Sequence, residues 1–423
     1  MARYAAHRRA VDAVRTAYQR LPAGAVPRIA KRTSNLFRFR SGKAQHAAKL
    51  DVSGLDQVLH VDPVNRTADV QGMVTYERLV DATLPHGLMP LVVPQLRTIT
   101  LGGAVTGLGI ESSSFRSGLP HESVLEMEIV TGDGEVVVAT PDNEHSDLFM
   151  AFPNSYGTLG YALRLTIELE PVQPYVQLRH LRFSDASAAM AVLDEICRTA
   201  DHDGQRVDFV DGVVFSRDEL YLTVASFAET PAPPDDDGSD IPGNGVGVPQ
   251  GTSDYTGMDV YYQSIQRRST DCLTIYDYLW RWDTDWFWCS GAFGLQRPAI
   301  RRIWPRRYRR SDVYRRLVAF DRRHQITARL DRFRGRPQQE AVIQDIEVPV
   351  ARVPEFLDFF HRDVGISPVW LCPLQLRKPT DGKARTWPLY PLTPGVRYVN
   401  IGFWSSVPLP KGRTDGYYNR LIE

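Results

Sequence analysis

Residues 94–124, PQLRTITLGGAVTGLGIESSSFRSGLPHESV, place Gly102, Gly103, Gly107 and Gly109 within eight residues. Glycine has no side chain and tolerates positive φ, so backbone there can press against a ligand. Consecutive N–H groups in such a stretch form a nest suited to a pyrophosphate. Ser112, Ser113 and Ser114 follow and offer hydroxyl donors. The spacing is neither G-x-G-x-x-G behind a parallel strand nor G-x-x-x-x-G-K-[ST], which disfavours a Rossmann site and a P-loop. A structural turn between strands competes with the phosphate-binding reading on equal terms.

A second stretch, IYDYLWRWDTDWFWCS (275–290), holds four of the eight tryptophans, with Asp277, Asp283 and Asp285 interleaved. Protonating an unpolarised alkene needs an acid kept protonated by burial. It also needs π faces to stabilise the positive charge that results. Asp283 and Asp285 are the acids this stretch offers, against a competing reading as an aromatic core strand or interfacial belt. QDIEVPV (344–350) adds Asp345 and Glu347 on an apolar strand. A carboxyl group in such surroundings often has a raised pKa. Alternation equally allows one or both to face solvent. Glu347 completes the set of candidate catalytic residues.

A third stretch, RRIWPRRYRRSDVYRR (301–316), mixes eight arginines with Trp304, Tyr308 and Tyr314. Residues 297–336 hold 15 Arg and 3 Asp, a local charge of +12. Lys plus Arg and Asp plus Glu each total 50, so the rest of the chain carries the opposite charge. A solvated helix face is the commonest outcome for such a run. Docking on anionic lipid headgroups and capture of the 2′-phosphate of NADPH are the functional alternatives. No nucleic-acid recognition motif accompanies the arginines, and overall neutrality argues against a nucleic-acid partner.

These stretches need elements to hold them. A chain of 423 residues, 43% hydrophobic and 24% charged, is expected to form two globular domains. Residues 1–22 read as a helix through Val11, Val14, Ala17 and Leu21. VLHVD (58–62) and ADVQGM (68–73) read as a hairpin, and Thr75 caps a short helix carrying Leu79 and Val80. SVLEMEIVT (123–131) alternates with Val124, Glu126, Glu128 and Val130 on one face, and Gly132–Gly134 turn it into EVVVAT. YALRLTIELEP (161–171) is a long strand. Strands dominate this half, and it is not a run of βαβ units. Residues 229–254, rich in Pro, Gly and Asp, read as a mobile loop. Cys197, Cys272, Cys289 and Cys372 form no C-x-x-C pair, which argues against a zinc ribbon and fits a reducing cytoplasm; no metal site is expected. No apolar h-region and no 18-residue apolar run occur. The bias of 44 Arg to 6 Lys reads as a GC-rich bacterial genome.

TITLGGAVTGLGIESSSFRSGL (98–119) followed by FPNSYGTLGYALRLTIEL (152–169) resembles the flavin-binding domain of the vanillyl-alcohol-oxidase superfamily. YDYLWRWDTDWFWCSGAFG, WPRRYRRSDVYRRL, QDIEVPV and PVWLCPL are similar to blocks of its delta-24-sterol reductase branch. Within that branch the chain most resembles the actinobacterial reductases that turn a methylene-branched fatty acyl chain into its methyl-branched form, as in tuberculostearic acid. The resemblance implies an α+β fold: a PCMH-type FAD-binding domain over 1–172 and a substrate domain over 173–423. It implies that Thr98, Ile99, Thr100, Leu101, Gly102, Gly103, Ala104, Val105, Thr106, Gly107, Leu108, Gly109 and Ile110 wrap the FAD pyrophosphate, with Ser112, Ser113 and Ser114 beyond. It implies a first phosphate loop of Lys31, Thr33, Ser34, Asn35 and Leu36. Gly157, Thr158 and Gly160 are implied to approach the isoalloxazine or ribityl chain. His121 is then a hydrogen-bond partner to flavin or a satisfied loop histidine, the second the commoner case. Residues 31–36 hold no His or Cys, so noncovalent FAD is expected. Members of the branch continue past the position matching Glu423 with a tail that returns to the flavin domain, and that return is expected to be missing here.

The activity implied is FAD-dependent reduction of a lipid carbon–carbon double bond, preferably in a methylene-fatty-acyl chain, with NADPH as donor. The alternatives are an alcohol or sugar-acid oxidase using oxygen, and a non-catalytic flavoprotein that partners a lipid methyltransferase. The expected location is cytoplasmic, with peripheral membrane contact through 301–316.

Overall fold

The first helix, Ala2–Gln19, is amphipathic and buries His7, Val11 and Val14. The two valines pack with Leu50, Val52, Leu55, Val130 and Leu163. His7 Nε2 lies 2.8 Å from Glu128 Oε2, and the Gln71 amide meets its other nitrogen at 2.9 Å. This computed structural model describes residues 1–22, 24–30, 47–231, 250–378 and 385–423. Residues Lys31–Leu36 and most of segment 229–254 lie outside the described residues. The chain divides into two units, Met1–Val172 with Gln375–Val396, and Gln173–Leu374 with Arg397–Glu423. The expected second domain ran unbroken from 173 to 423; residues 375–396 instead belong with the first unit.

In the first unit β1 (Val26–Ala30) and β2 (Ala47–Asp51) pair in parallel. The main sheet contains β3 (Val58–Asp62), β4 (Thr67–Gln71), β5 (Leu88–Pro90), β6 (Val124–Val130), β7 (Val136–Ala139) and β8 (Tyr161–Pro171). Its order is β3-β4-β8-β6-β7, all antiparallel, with β5 also paired to β8. β8 is central because its alternation buries Leu163, Leu165, Ile167 and Leu169 on one side. On the other side Arg164 pairs with Asp69 at 2.7 Å, Glu126 at 2.5 Å and Glu128 at 3.1 Å. One arginine thus ties three acids together on the polar face where the first helix lies.

β6 departs from strict alternation. Two register shifts against β8, between Val124 and Glu126 and between Glu128 and Ile129, interrupt the pleat. Met127 and Ile129 are therefore buried along with Val124 and Val130, and Glu126 and Glu128 turn to Arg164.

The second unit is one antiparallel sheet in the order β14-β9-β13-β12-β16-β17-β15. Its strands are β9 (Tyr175–Phe183), β12 (Phe209–Ser216), β13 (Glu219–Ala228), β14 (Thr270–Thr274), β15 (Gln339–Pro349), β16 (Val369–Leu374) and β17 (Tyr398–Pro408). A small hairpin of β10 (Asp201–His202) and β11 (Gln205–Arg206) stands apart. The helix Ala186–Thr199, capped by Asp185 through the Ala188 N–H, packs Met190, Leu193 and Ile196 inward.

The aromatic stretch is largely core, as its competing reading held. Trp282 stacks on Phe287 at 4.9 Å, and Phe287 meets Trp404 at 4.3 Å. Trp286 and Phe287 both sit at positive φ, 48° and 58°. This packing holds the strained pair in place. Buried Asp211 accepts from Arg281 at 2.9 Å, from the Trp282 indole at 3.0 Å and from Trp370 at 3.3 Å. Asp285 forms an ion pair with Arg301 at 2.8 Å, both side chains nearly sealed from solvent. Arg301 also donates to the carbonyls of Tyr255, Gly257 and Asp259.

Removing one partner of a buried pair strands the other charge. Asp285→Asn should therefore lower the unfolding free energy by about 3–5 kcal/mol, read from denaturant midpoints. Asp312→Asn, which serves arginines on the outside, should cost about 1 kcal/mol or less. Equal losses for the two would contradict a structural ion pair.

Candidate functional site

Thr100 starts the site. Its hydroxyl accepts from the Gly103 N–H at 3.2 Å and caps the helix Leu101–Gly107. The Leu101 N–H donates to the Val74 carbonyl and the Gly102 N–H to the Gly72 carbonyl, both at 2.9 Å. The Ala104 N–H bonds the Thr100 carbonyl at 2.8 Å. This corrects the expected nest: the N–H groups at the head of the segment are already satisfied, and the glycines act by bareness instead. A Cβ on Gly102 would lie 2.8 Å from the Gly72 oxygen. One on Gly72 would collide with the Ala162 carbonyl.

The glycine helix forms one wall of a cavity of about 430 Å³. Thr98, Ile99, Thr100, Gly102, Gly103, Thr106, Gly107, Leu108 and Gly157 line it, all expected from sequence. Pro27, Arg28, Ile29, Met73, Tyr156, Tyr161 and Ala162 also line it and were not anticipated. Arg28 sits on β1 and Met73 just after β4, so strand pairing brings them there and no local motif announces them. Leu108, Asn154 and Tyr156 hold positive φ of 59°, 60° and 51°, and Gly157 follows at 81°. Non-glycine residues in that region cluster at ligand-contacting turns.

The other expected cofactor residues sit behind the wall. Leu101, Ala104 and Val105 are core. Gly109 packs against Pro94, and Gly160 packs against β6 backbone. Ile110 is half-buried, and the Thr158 hydroxyl caps its own turn at Ser155. The three serine hydroxyls are buried and bond locally: Ser112 donates to Glu111, Ser113 to the Leu91 carbonyl, and Ser114 accepts from the Glu111 N–H.

His121 is not a satisfied loop histidine. It is fully buried, edge-on to Trp387 at 4.5 Å, and neither ring nitrogen has a hydrogen-bond partner among the described residues. Burial pulls its pKa down to about 3, so the ring is neutral. Its neighbour Glu122 is pushed up to about 7 by burial, opposed by the N–H groups of Leu119 and Arg377 and the charges of Arg377 and Arg385.

Among the candidate acids, Asp283 is sealed and accepts from the Ser311 hydroxyl at 2.5 Å. Asp285 is committed to Arg301. Asp345 is exposed, and Glu347 is half-buried on β15 opposite Asn400 of β17. Among the described residues no group of His, Cys, Asp and Glu is arranged to hold a metal.

The cavity fits FAD on its own chemistry. Bare glycine surfaces admit a flat dinucleotide, the Arg28 guanidinium suits a pyrophosphate, and Tyr156 and Tyr161 offer ring faces. Residues 12–140 match the FAD binding domain family model. Over 372 residues the chain is 30% identical to a delta(24)-sterol reductase of Arabidopsis thaliana, covering 85% of this chain and 61% of the relative. It is 28% identical over 344 residues to the delta(24)-sterol reductase of Homo sapiens, covering 80% and 61%. A decaprenylphosphoryl-beta-D-ribose oxidase of Mycolicibacterium smegmatis is 38% identical over 125 residues, 29% of this chain and 27% of that one. The chain spans about three fifths of the length of the sterol reductases it matches.

Three outcomes are expected. Arg28→Ala should weaken FAD binding about tenfold or more, measured by flavin fluorescence titration, and Gly102→Val should abolish flavin retention. His121→Leu should flatten the acid side of the stability curve. The unfolded imidazole takes a proton below about 6.5 and the buried one does not. Stability is therefore lost as pH falls, by about 1.4 kcal/mol per pH unit. Glu122 acts with the opposite sign, losing stability as pH rises from 4.5 through about 7. Thermal unfolding of both proteins at pH 7 and pH 5 measures the difference. Fold, cavity and family match together make the first unit a PCMH-type FAD-binding domain in a two-domain α+β flavoprotein.

Proposed function

We propose that this chain is a FAD-dependent oxidoreductase that reduces a carbon–carbon double bond in a lipid. The observation that carries the reading is likeness to delta(24)-sterol reductases along 80% to 85% of the chain, which takes in both units. The preferred substrate is a methylene-branched fatty acyl chain, with NADPH as the electron donor and FAD held without a covalent bond. When bound, the flavin supplies the hydride that completes the reduction.

The chain's own task is to hold the flavin and place a proton. The glycine wall and Arg28 hold the dinucleotide. A proton must reach the terminal methylene carbon and leave positive charge on the tertiary carbon. Glu347 is our proton donor, because Asp283 and Asp285 are sealed and bonded to Ser311 and Arg301. A half-buried carboxyl is reachable by substrate, as a proton donor must be.

The 38% match to an oxidase over 125 residues favours a second reading, an oxidase that reduces oxygen. One experiment separates them. Under anaerobic conditions NADPH should bleach the flavin absorbance, and a methylene lipid should restore it. Reoxidation by oxygen alone, with no response to the lipid, would sink the reductase reading. Glu347→Gln should slow lipid-dependent reoxidation about 100-fold or more and leave bleaching by NADPH unchanged. Acid precipitation should release the flavin into the supernatant.

A further inference from the structure

The arginines of residues 297–336 fall into two classes. Arg301 and Arg309 are buried and bond backbone carbonyls around Tyr255–Gly257, so they are struts. Exposed arginines occur along the whole stretch, and Arg316, Arg322, Arg323 and Arg329 sit on two helices joined at a corner. The helix Ser311–His324 is anchored on its inner side. Its Ser311 hydroxyl donates to Asp283 at 2.5 Å, and the Tyr314 hydroxyl donates to the Thr284 carbonyl at 2.8 Å. Arg316, Phe320 and Arg323, spaced i, i+4 and i+7, share its exposed face. Gln325 then takes a left-handed conformation, φ 51°, and the helix Ile326–Phe333 begins. Asp321 fixes the corner by accepting from the Thr327 N–H at 2.9 Å and its hydroxyl at 2.7 Å.

This corner holds its apolar side chains out in water. Phe320 is 58% exposed, Ile326 48% and Phe333 90%. Arg323, Arg329 and Arg334 are exposed among them. A soluble surface avoids such a concentration unless something covers it. The charge says what: the segment is strongly basic within a neutral chain, so its complement is an anionic surface. A nucleic acid would match the arginines and leave the apolar side chains in water. A bilayer interface satisfies both, with cations at the phosphates and apolar side chains just below. No described helix is long and apolar enough to cross a membrane, so the contact is made from one side.

We propose that the helical corner 311–334 docks on an anionic phospholipid bilayer, with Phe320, Ile326 and Phe333 entering the interface. The inference stands apart from the redox reading and survives its failure. It extends the contact expected at 301–316 to the corner that follows, where Phe320, Ile326 and Phe333 are exposed.

The test is flotation of the full chain with vesicles. It should float with equal parts phosphatidylcholine and phosphatidylglycerol, and stay behind with phosphatidylcholine alone. Arg323→Glu with Arg329→Glu should weaken partitioning about tenfold or more. Phe320→Ser with Phe333→Ser should do the same. Unchanged thermal midpoints and flavin content would show that both variants stay folded. Equal flotation with neutral vesicles, or none with anionic ones, would overturn the proposal. So would a charge-sensitive association that ignores the apolar variant, since that describes a polyanion site; retention of RNA on a filter would then identify it.

Discussion

Between β4 and the glycine helix the backbone runs closer than any side chain allows. The Gly72 N–H bonds the Leu163 carbonyl at 2.9 Å, and the Gly72 carbonyl accepts from Gly102 at the same distance. Gly72 and Gly102 are thus welded to the central strand with no room for a methyl group. That contact fixes where the helix Leu101–Gly107 starts, and so where Thr106, Gly107 and Leu108 face the cavity. It also explains how the segment keeps its amides satisfied while leaving a bare wall. A cofactor meets glycine surfaces and hydroxyls there.

The second unit solves a different problem. It buries charge in quantity: Arg281 with Asp211, and Arg301 with Asp285. Each guanidinium is completed by carbonyls or held against rings; Arg281 lies 3.9 Å over the Tyr278 ring. Desolvation on this scale is tolerated only when every charge is matched. These pairs pin the strained Trp286–Phe287 turn and the loop at 255–259. The aspartates that look like acids in the sequence are therefore mostly scaffolding.

The strands and their alternation were legible from residues alone, because a two-residue period is a local signal. VLHVD and YALRLTIELEP form strands within the same bounds as read. Thr75 caps its helix through the Arg78 N–H. The bulges of β6 were not legible, since a register shift depends on the partner strand. Nine cavity-lining residues came from the glycine-rich stretch and the turn at Gly157, which the resemblance to the flavin-binding family marks. Arg28, Met73, Tyr161 and Ala162 were invisible because pairing across the sheet delivers them. The buried status of Asp285, Arg301 and Arg309 was hidden for a like reason. A charged residue reads as surface until its partner, 16 residues away for Asp285 and Arg301, is seen beside it.

Gln375–Val396 bears on how the protein is made. Gln375 donates to the Phe115 carbonyl, Arg377 pairs with Glu168, and Trp387 covers His121. On the ribosome these residues emerge only after β9 to β16 have been synthesised. The flavin unit thus stays open at that side while some two hundred further residues are added. Its folding is completed last though its strands are made first. The face of His121 that Trp387 covers is closed only when this late segment arrives. The amino-terminal unit is therefore completed only after the sheet that separates its two pieces has been made.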